Sequence, residues 1–241
     1  MNAAFFTDVE TGHPLEKDFA YKNNVAQAQI SIRMGFLRKV YGILFAQLSI
    51  TVLCAGAMFL FRDELLRAVQ LSSALPLITF IGSIGFLVAL MFKKHQTPLN
   101  YLLLLGFTIC ESLLIGFVVL AYSARVVLQA FALTTAVTFC LMAYAMQSKH
   151  DFSQWGAGLF AGLLVLILAA PLNFFIGSSV FEFSIAAGGS VLFCLLIVYD
   201  THRIMHYCSA EDYVVACVDL YLDILNLFVY LLRVLRSMDN Q

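Results

Sequence analysis

The chain has 241 residues, of which 61% are hydrophobic and only 12% are charged, and its net charge is -1. A soluble domain is typically about 45–50% apolar and about 25% charged. The composition therefore excludes a water-soluble globule and predicts an integral membrane protein, with the lipid bilayer as its first partner. The balanced charge gives no reason to expect a nucleic-acid partner.

The N-terminal stretch is polar and acidic. It has no basic segment followed by an apolar core, so it does not have the pattern of a cleavable signal sequence. We expect residues 1–34 to form a disordered cytosolic tail and residues 35–241 to form one transmembrane domain. The first apolar helix then acts as the insertion signal.

Seven apolar stretches are each close to the roughly 20 residues that a membrane-spanning helix needs. The connections between them are too short to hold a soluble domain. We therefore predict an all-α membrane protein, a bundle of seven transmembrane helices. The last stretch contains carboxylates, so a re-entrant segment stays open as an alternative to a full span. The predicted spans are residues 40–61, 75–92, 100–122, 126–146, 155–175, 181–199 and 214–234.

Lysine and arginine are unevenly distributed between the two ends of the predicted bundle. Nine of the 14 fall in the tail and in the connections after the second, fourth and sixth spans. Short cytosolic loops carry an excess of these residues. We therefore expect the N-terminus to be cytosolic.

Four acidic residues fall inside the predicted spans or at their ends: Glu111, Asp200, Asp219 and Asp223. A carboxylate near the centre of a membrane helix costs roughly 2.5–3.5 kcal/mol on insertion scales. Asp223 lies about 14 Å into the seventh span, near the middle of a hydrocarbon core of roughly 30 Å. Each of these acids therefore needs either a partner or a function.

The seventh span has one polar face. Asp219 and Asp223 lie one helical turn apart on the same face, and Asn226 and Tyr230 continue it. A helix with a polar stripe belongs inside a bundle or along a water-filled cavity, with the stripe turned away from lipid.

Asp200 closes the sixth span, and a short connection leads from it to the seventh. We therefore expect two antiparallel neighbouring helices that bring Asp200 and Asp223 together. Two close carboxyl groups at low dielectric tend to share one proton. Alternatively, they bind a divalent cation such as calcium, which favours carboxylate and carbonyl oxygens. The pair is thus a candidate for a pH-sensitive latch or for a calcium site.

A structural role is the alternative for each acid. Arg203 lies three residues after Asp200, and Lys93 or Lys94 could reach down from the second span. Asp219 lies near the membrane surface, where water alone could hydrate it. The sequence offers no local partner for Glu111, so a role in an ion path and a structural hydrogen bond both stay open.

Histidine and cysteine carry weaker signals. His202 and His206 are one helical turn apart, and we expect them to be surface residues rather than metal ligands. The six cysteines are scattered and have no zinc-binding spacing, so we expect them to pack within helices. Cys208, in a short connection, is the alternative candidate for a functional thiol.

Five motifs in order resemble the transmembrane BAX-inhibitor-motif (lifeguard) family. The resemblance runs from about Arg33 to the C-terminus, and several motifs in the right order are more specific than any one alone. The motifs are IRMGFLRKVYGILFAQL, PLNYLLLLGFTICESL, QSKHDFSQWGAGLF, VLFCLLIVYDTHRIMH and DLYLDILNLFVYLLR.

The resemblance implies a seven-helix bundle with the last helix at its centre. It also implies a calcium leak across Golgi or endoplasmic reticulum membranes, which lowers the releasable calcium store and inhibits apoptosis. Asp200 and Asp223 match the family's pH-sensing pair, and Lys93 matches a basic residue that interacts with it. No tightly bound cofactor is implied, and calcium is the permeant or bound ion.

Two other classes of function compete with this one. Intramembrane aspartyl proteases also use two aspartates, and Tyr199-Asp200 resembles one of their motifs, but their GxGD motif is missing, so we do not expect an enzyme. A membrane protein without transport of its own that binds other calcium channels or apoptosis regulators stays open.

Overall fold

The computed structural model describes residues 30–71, 74–209 and 211–239, and every regular element in these ranges is a helix. Most of the predicted tail lies outside the described residues, but its last part, residues 30–34, already belongs to the first helix. The α-helices are α1 (Ile30–Leu60), α2 (Arg62–Leu71), α3 (Ala74–Lys93), α4 (Leu99–Val119), α5 (Ala124–Gln147), α6 (Gly156–Ile176), α7 (Ser179–His206) and α8 (Tyr213–Asp239), with a short 3-10 helix at Ser153–Trp155.

Seven of these helices are long and apolar enough to cross a membrane, which confirms the predicted fold class. The exception, α2, has 10 residues and lies in the connection between the first two spans. The last span, α8, is one continuous helix of 27 residues. At 1.5 Å per residue it is about 40 Å long, which is enough to cross the bilayer, and it shows none of the reversal of a re-entrant segment.

Side chains at the connections explain where several helices begin and end. Ser123 and Ser178 precede α5 and α7, and each hydroxyl accepts a hydrogen bond from a backbone N–H of the first turn. Gly177 ends α6 with a left-handed φ of 61°, which a residue with a side chain adopts only with strain.

The last span is also the most buried. In its most apolar 18-residue window 61% of the residues are buried, against 6–39% in the other six spans. It packs against α1, α4, α5 and α7. The predicted position at the centre of the bundle stays a prediction, and this burial supports it.

Candidate functional site

Asp200 of α7 and Asp223 of α8 face each other inside the bundle. Each residue is only 7% exposed, and the two carboxyl groups are close enough to interact directly. The second oxygen of Asp223, Oδ2, is buried and has no hydrogen-bond partner. Two ionised carboxylates this close repel strongly at low dielectric, so the arrangement is most stable when the pair holds one proton.

Arg203 connects this pair to a third carboxylate. Its Nε lies 3.4 Å from Asp200 Oδ1, and its terminal nitrogen donates a hydrogen bond to Asp219 Oδ2. We call Asp200, Asp219, Asp223 and Arg203 the aspartate cluster. Two of the three carboxyl groups thus contact the guanidinium, whereas the third, that of Asp223, does not, and a buried charge without compensation costs several kcal/mol. A proton on the pair reduces that excess of negative charge.

The structure does not bring Lys93 to the aspartates within the described part of the chain. Lys93 ends α3 and is exposed. Its neighbour Lys94 forms an ion pair instead, with Nζ 3.0 Å from Asp212 Oδ1. The cation beside Asp200 is Arg203, because it lies on the same helix less than one turn away.

Glu111 finds its partner on another helix. The hydroxyl of Ser83 on α3 donates a hydrogen bond to Glu111 Oε1 on α4. The sequence shows no local partner for Glu111 because Ser83 lies far from it along the chain. Glu111 therefore lies at the contact between α3 and α4, outside the aspartate cluster.

A group of buried hydroxyls on the opposite side of α8 was not anticipated. Thr51 Oγ1 of α1 lies 2.8 Å from the Tyr221 hydroxyl and 3.0 Å from Ser112 Oγ of α4. We call Thr51, Ser112 and Tyr221 the hydroxyl network. Tyr221 is two residues from Asp223, and a step of two residues turns a helix by about 200°. Single hydroxyls within apolar spans form no sequence pattern that would predict their partners.

The histidine prediction was wrong for His202. This residue is only 5% exposed, because Phe152 of the connection between α5 and α6 covers it. Cys208 is half-buried, and burial raises the pKa of its thiol to about 11. A thiol with so high a pKa is almost fully protonated at neutral pH, which argues against a nucleophilic role.

The described residues contain no group of three or more histidine, cysteine or acidic side chains placed to hold a metal ion. Calcium usually takes six to eight oxygen ligands. The calcium site predicted at Asp200 and Asp223 stays a prediction.

A model of the family of inhibitors of apoptosis-promoting Bax1 (Bax1-I) matches residues 33–240. Protein lifeguard 4 of Mus musculus is 46% identical over 237 residues, which cover 97% of this chain and 99% of that protein. The Golgi anti-apoptotic protein of vaccinia virus (strain Lister) is 48% identical over 221 residues, 92% of this chain and 93% of its own. Bax inhibitor 1 of Schizosaccharomyces pombe is 36% identical over 236 residues, 98% and 88% respectively. None of these descriptions names an enzyme.

Proposed function

Because the chain belongs to the family of inhibitors of apoptosis-promoting Bax1, we propose that it is an anti-apoptotic protein of the Golgi or endoplasmic reticulum membrane. It acts there as a pH-sensitive calcium leak channel. The names of its relatives support the anti-apoptotic role and the Golgi location. The leak and its pH dependence rest on the aspartate cluster.

The observation that carries the proposal is the buried contact of Asp200 with Asp223 between α7 and α8. While the pair holds a proton, the two carboxyl groups attract each other and keep the helices together. When the proton leaves, two negative charges face each other at low dielectric and repel. Separation of α7 from α8 then opens a path lined by carboxylates, which favours cations. The leak therefore increases as the pH rises through the loss of the shared proton.

The test is calcium flux from liposomes that contain the full chain and no other protein, measured between about pH 6 and about pH 8. Asp223→Asn mimics the protonated carboxyl, because its amide is neutral and keeps hydrogen bonds to Asp200. We expect this variant to leak slowly at every pH. Asp239→Asn is the matched control, because it makes the same change at an exposed position on the same helix, and it should behave like the wild type.

Two results would overturn the proposal in different ways. If Asp223→Asn leaks with the pH profile of the wild type, the pair is not the latch. If the wild-type chain does not leak at any pH, the protein does not transport calcium by itself. The second result would favour a protein that acts by binding other channels or apoptosis regulators.

A further inference from the structure

The end of α7 carries a second titratable group that the proposed latch does not use. His202 and His206 lie one turn apart, with ring centroids 4.4 Å apart and an interplanar angle of 41°. His202 is buried, and His206 is half-buried. Histidine is the side chain whose ordinary pKa, about 6.5, lies closest to physiological pH.

His202 packs against an aromatic cluster in the connection between α5 and α6. Phe152 of that connection is only 3% exposed, and its ring meets His202 edge-on with centroids 5.3 Å apart. On its other side Phe152 packs against Trp155 at 5.0 Å. Ala145 of α5 and Val198 of α7 complete the small apolar cluster around Phe152.

The charged groups around the two imidazoles come from three elements. Asp151 of the same connection attracts both rings, Arg33 of α1 repels His206, and the two imidazoles repel each other once one is charged. Asp151 is exposed, and hydrogen bonds from the backbone and side chain of Ser153, together with one from the Tyr207 hydroxyl, lower its pKa. Asp151 is therefore ionised at neutral pH and favours one bound proton.

We propose that His202 and His206 form a second proton-binding site, and that a proton there loosens the packing of Phe152 on α7. When two adjacent imidazoles face a single carboxylate, the first proton binds more readily than a second one. A charged imidazole is costly next to an apolar ring and a second imidazole, so His202 turns toward Asp151 and water. Phe152 then loses its contact with the His202 ring and is no longer fully buried.

The location of the site connects it to the aspartate cluster. His202 is two residues after Asp200 and next to Arg203 on α7. Loosening the connection over this end of α7 removes packing from the helix that holds one half of the latch. The effect on calcium flux rests on the proposed function, but the proton-binding site does not.

Trp155 makes the site directly measurable, because it is the only tryptophan in the chain. The full chain in liposomes is titrated between about pH 8 and about pH 5 while tryptophan emission is recorded. Trp155 is itself 41% exposed, so we expect one transition in its emission as it loses its contact with Phe152 at low pH. His202→Phe keeps an aromatic ring against Phe152 and cannot titrate, so its emission should stay at the wild-type high-pH value throughout.

Two matched variants make the result specific. His150→Gln removes the exposed histidine whose ring centroid lies 6.4 Å from that of Phe152, and Asp223→Asn removes the other proposed proton site. Both should keep the wild-type transition. A flat wild-type titration, or a transition that survives in His202→Phe, overturns the proposal. Helix content by circular dichroism checks that each variant is folded.

Calcium flux in the same liposomes separates this proposal from the preceding one. An emission transition without any calcium leak leaves the histidine site in place and overturns the leak function. A pH-dependent leak with flat tryptophan emission supports the leak function and overturns the histidine site. If both hold, His202→Phe should shift the pH midpoint of the leak.

Discussion

At the scale of single residues, Asp200 and Asp219 both lie within reach of Arg203, whereas Asp223 has Asp200 beside it and a buried oxygen without a partner. The three side chains are chemically identical, so their surroundings alone distinguish them. Asp219 is about a third exposed and ion-paired, in agreement with the structural alternative for this residue. The unequal surroundings of Asp200 and Asp223 support the proposal that one proton is held between them.

Removing the Arg203 guanidinium should change the pH at which the proposed latch opens. In Arg203→Gln no cation lies beside Asp200, and a carboxyl group without a neighbouring cation holds its proton more firmly. The proton is then lost only at a higher pH, so the midpoint of the calcium leak should move up by about one unit. The measurement is the liposome flux across pH.

Arg203→Lys is the matched variant for this prediction. Lysine keeps the positive charge but loses the planar fork that reaches two carboxylates. Its midpoint should lie between those of the wild type and Arg203→Gln. A midpoint that does not move in Arg203→Gln would show that the guanidinium does not act on the pair.

Asp212 provides a carboxylate that should not respond to pH in the neutral range. Burial raises its pKa, but hydrogen bonds from Ser209 and Lys94 and the charge of Lys94 outweigh burial, so the pKa lies below its ordinary value of 3.8. A lowered pKa stabilises the fold above the ordinary value, and the stabilisation is lost as the pH falls through the lowered pKa. The ion pair is about a third exposed at both ends, so it should contribute only about 0–1 kcal/mol.

Asp212→Asn should therefore lower thermal stability slightly and by the same amount at every neutral pH. The difference from the wild type should disappear only below about pH 4. Thermal unfolding in detergent micelles at several pH values measures it. A stability difference that changes between neutral pH values would contradict the lowered pKa of Asp212. The pH midpoint of the calcium leak in Asp212→Asn should be that of the wild type.

At the scale of elements, α8 has two polar faces with different partners. One face carries Asp223 and Asp219 toward α7, and the other carries Tyr221 toward α1 and α4. Hydrogen bonds between buried hydroxyls hold the second face. The helix is thus held by charge on one side and by neutral hydrogen bonds on the other.

The hydroxyl network should act as one unit in stability measurements. Thr51→Val and Tyr221→Phe remove the same hydrogen bond, so each should lower the free energy of unfolding by about 1 kcal/mol. The double variant should lose less than the sum of the two, because residues in one network are not additive. Reversible unfolding in mixed micelles gives the three values.

Thr135→Val is the control for the hydroxyl network. Thr135 is exposed and bonds only to the carbonyl of Phe131 on its own helix, so this change should have little effect. Additive losses for Thr51→Val and Tyr221→Phe would contradict a shared network.

At the scale of the whole molecule, three connections meet at the end of the bundle that holds the aspartate cluster. Lys94 ties the connection between α3 and α4 to Asp212, and the Tyr207 hydroxyl donates to Asp151 of the connection between α5 and α6. The third connection, between α7 and α8, contains Tyr207 and Asp212 themselves. The lysine and arginine bias predicts that this end faces the cytosol.

Periodicity and composition predicted the seven spans because a membrane helix needs a minimum length of apolar residues, a property of each segment alone. The pair of Asp200 and Asp223 was also predictable, because a short connection makes consecutive helices neighbours. Two contacts were not predictable, because residues on helices far apart in sequence meet only when the bundle packs. They are the contact of Glu111 with Ser83 and that of Thr51 with Tyr221.

The sequence by itself thus determined that this is a membrane bundle of seven helices and which acids lie within it. Only the tertiary structure decided which cation accompanies Asp200, that His202 is covered by Phe152, and that Tyr221 bonds to Thr51. The physical reason is that span length and apolarity are local, whereas the partner of a buried polar group depends on which helix faces it.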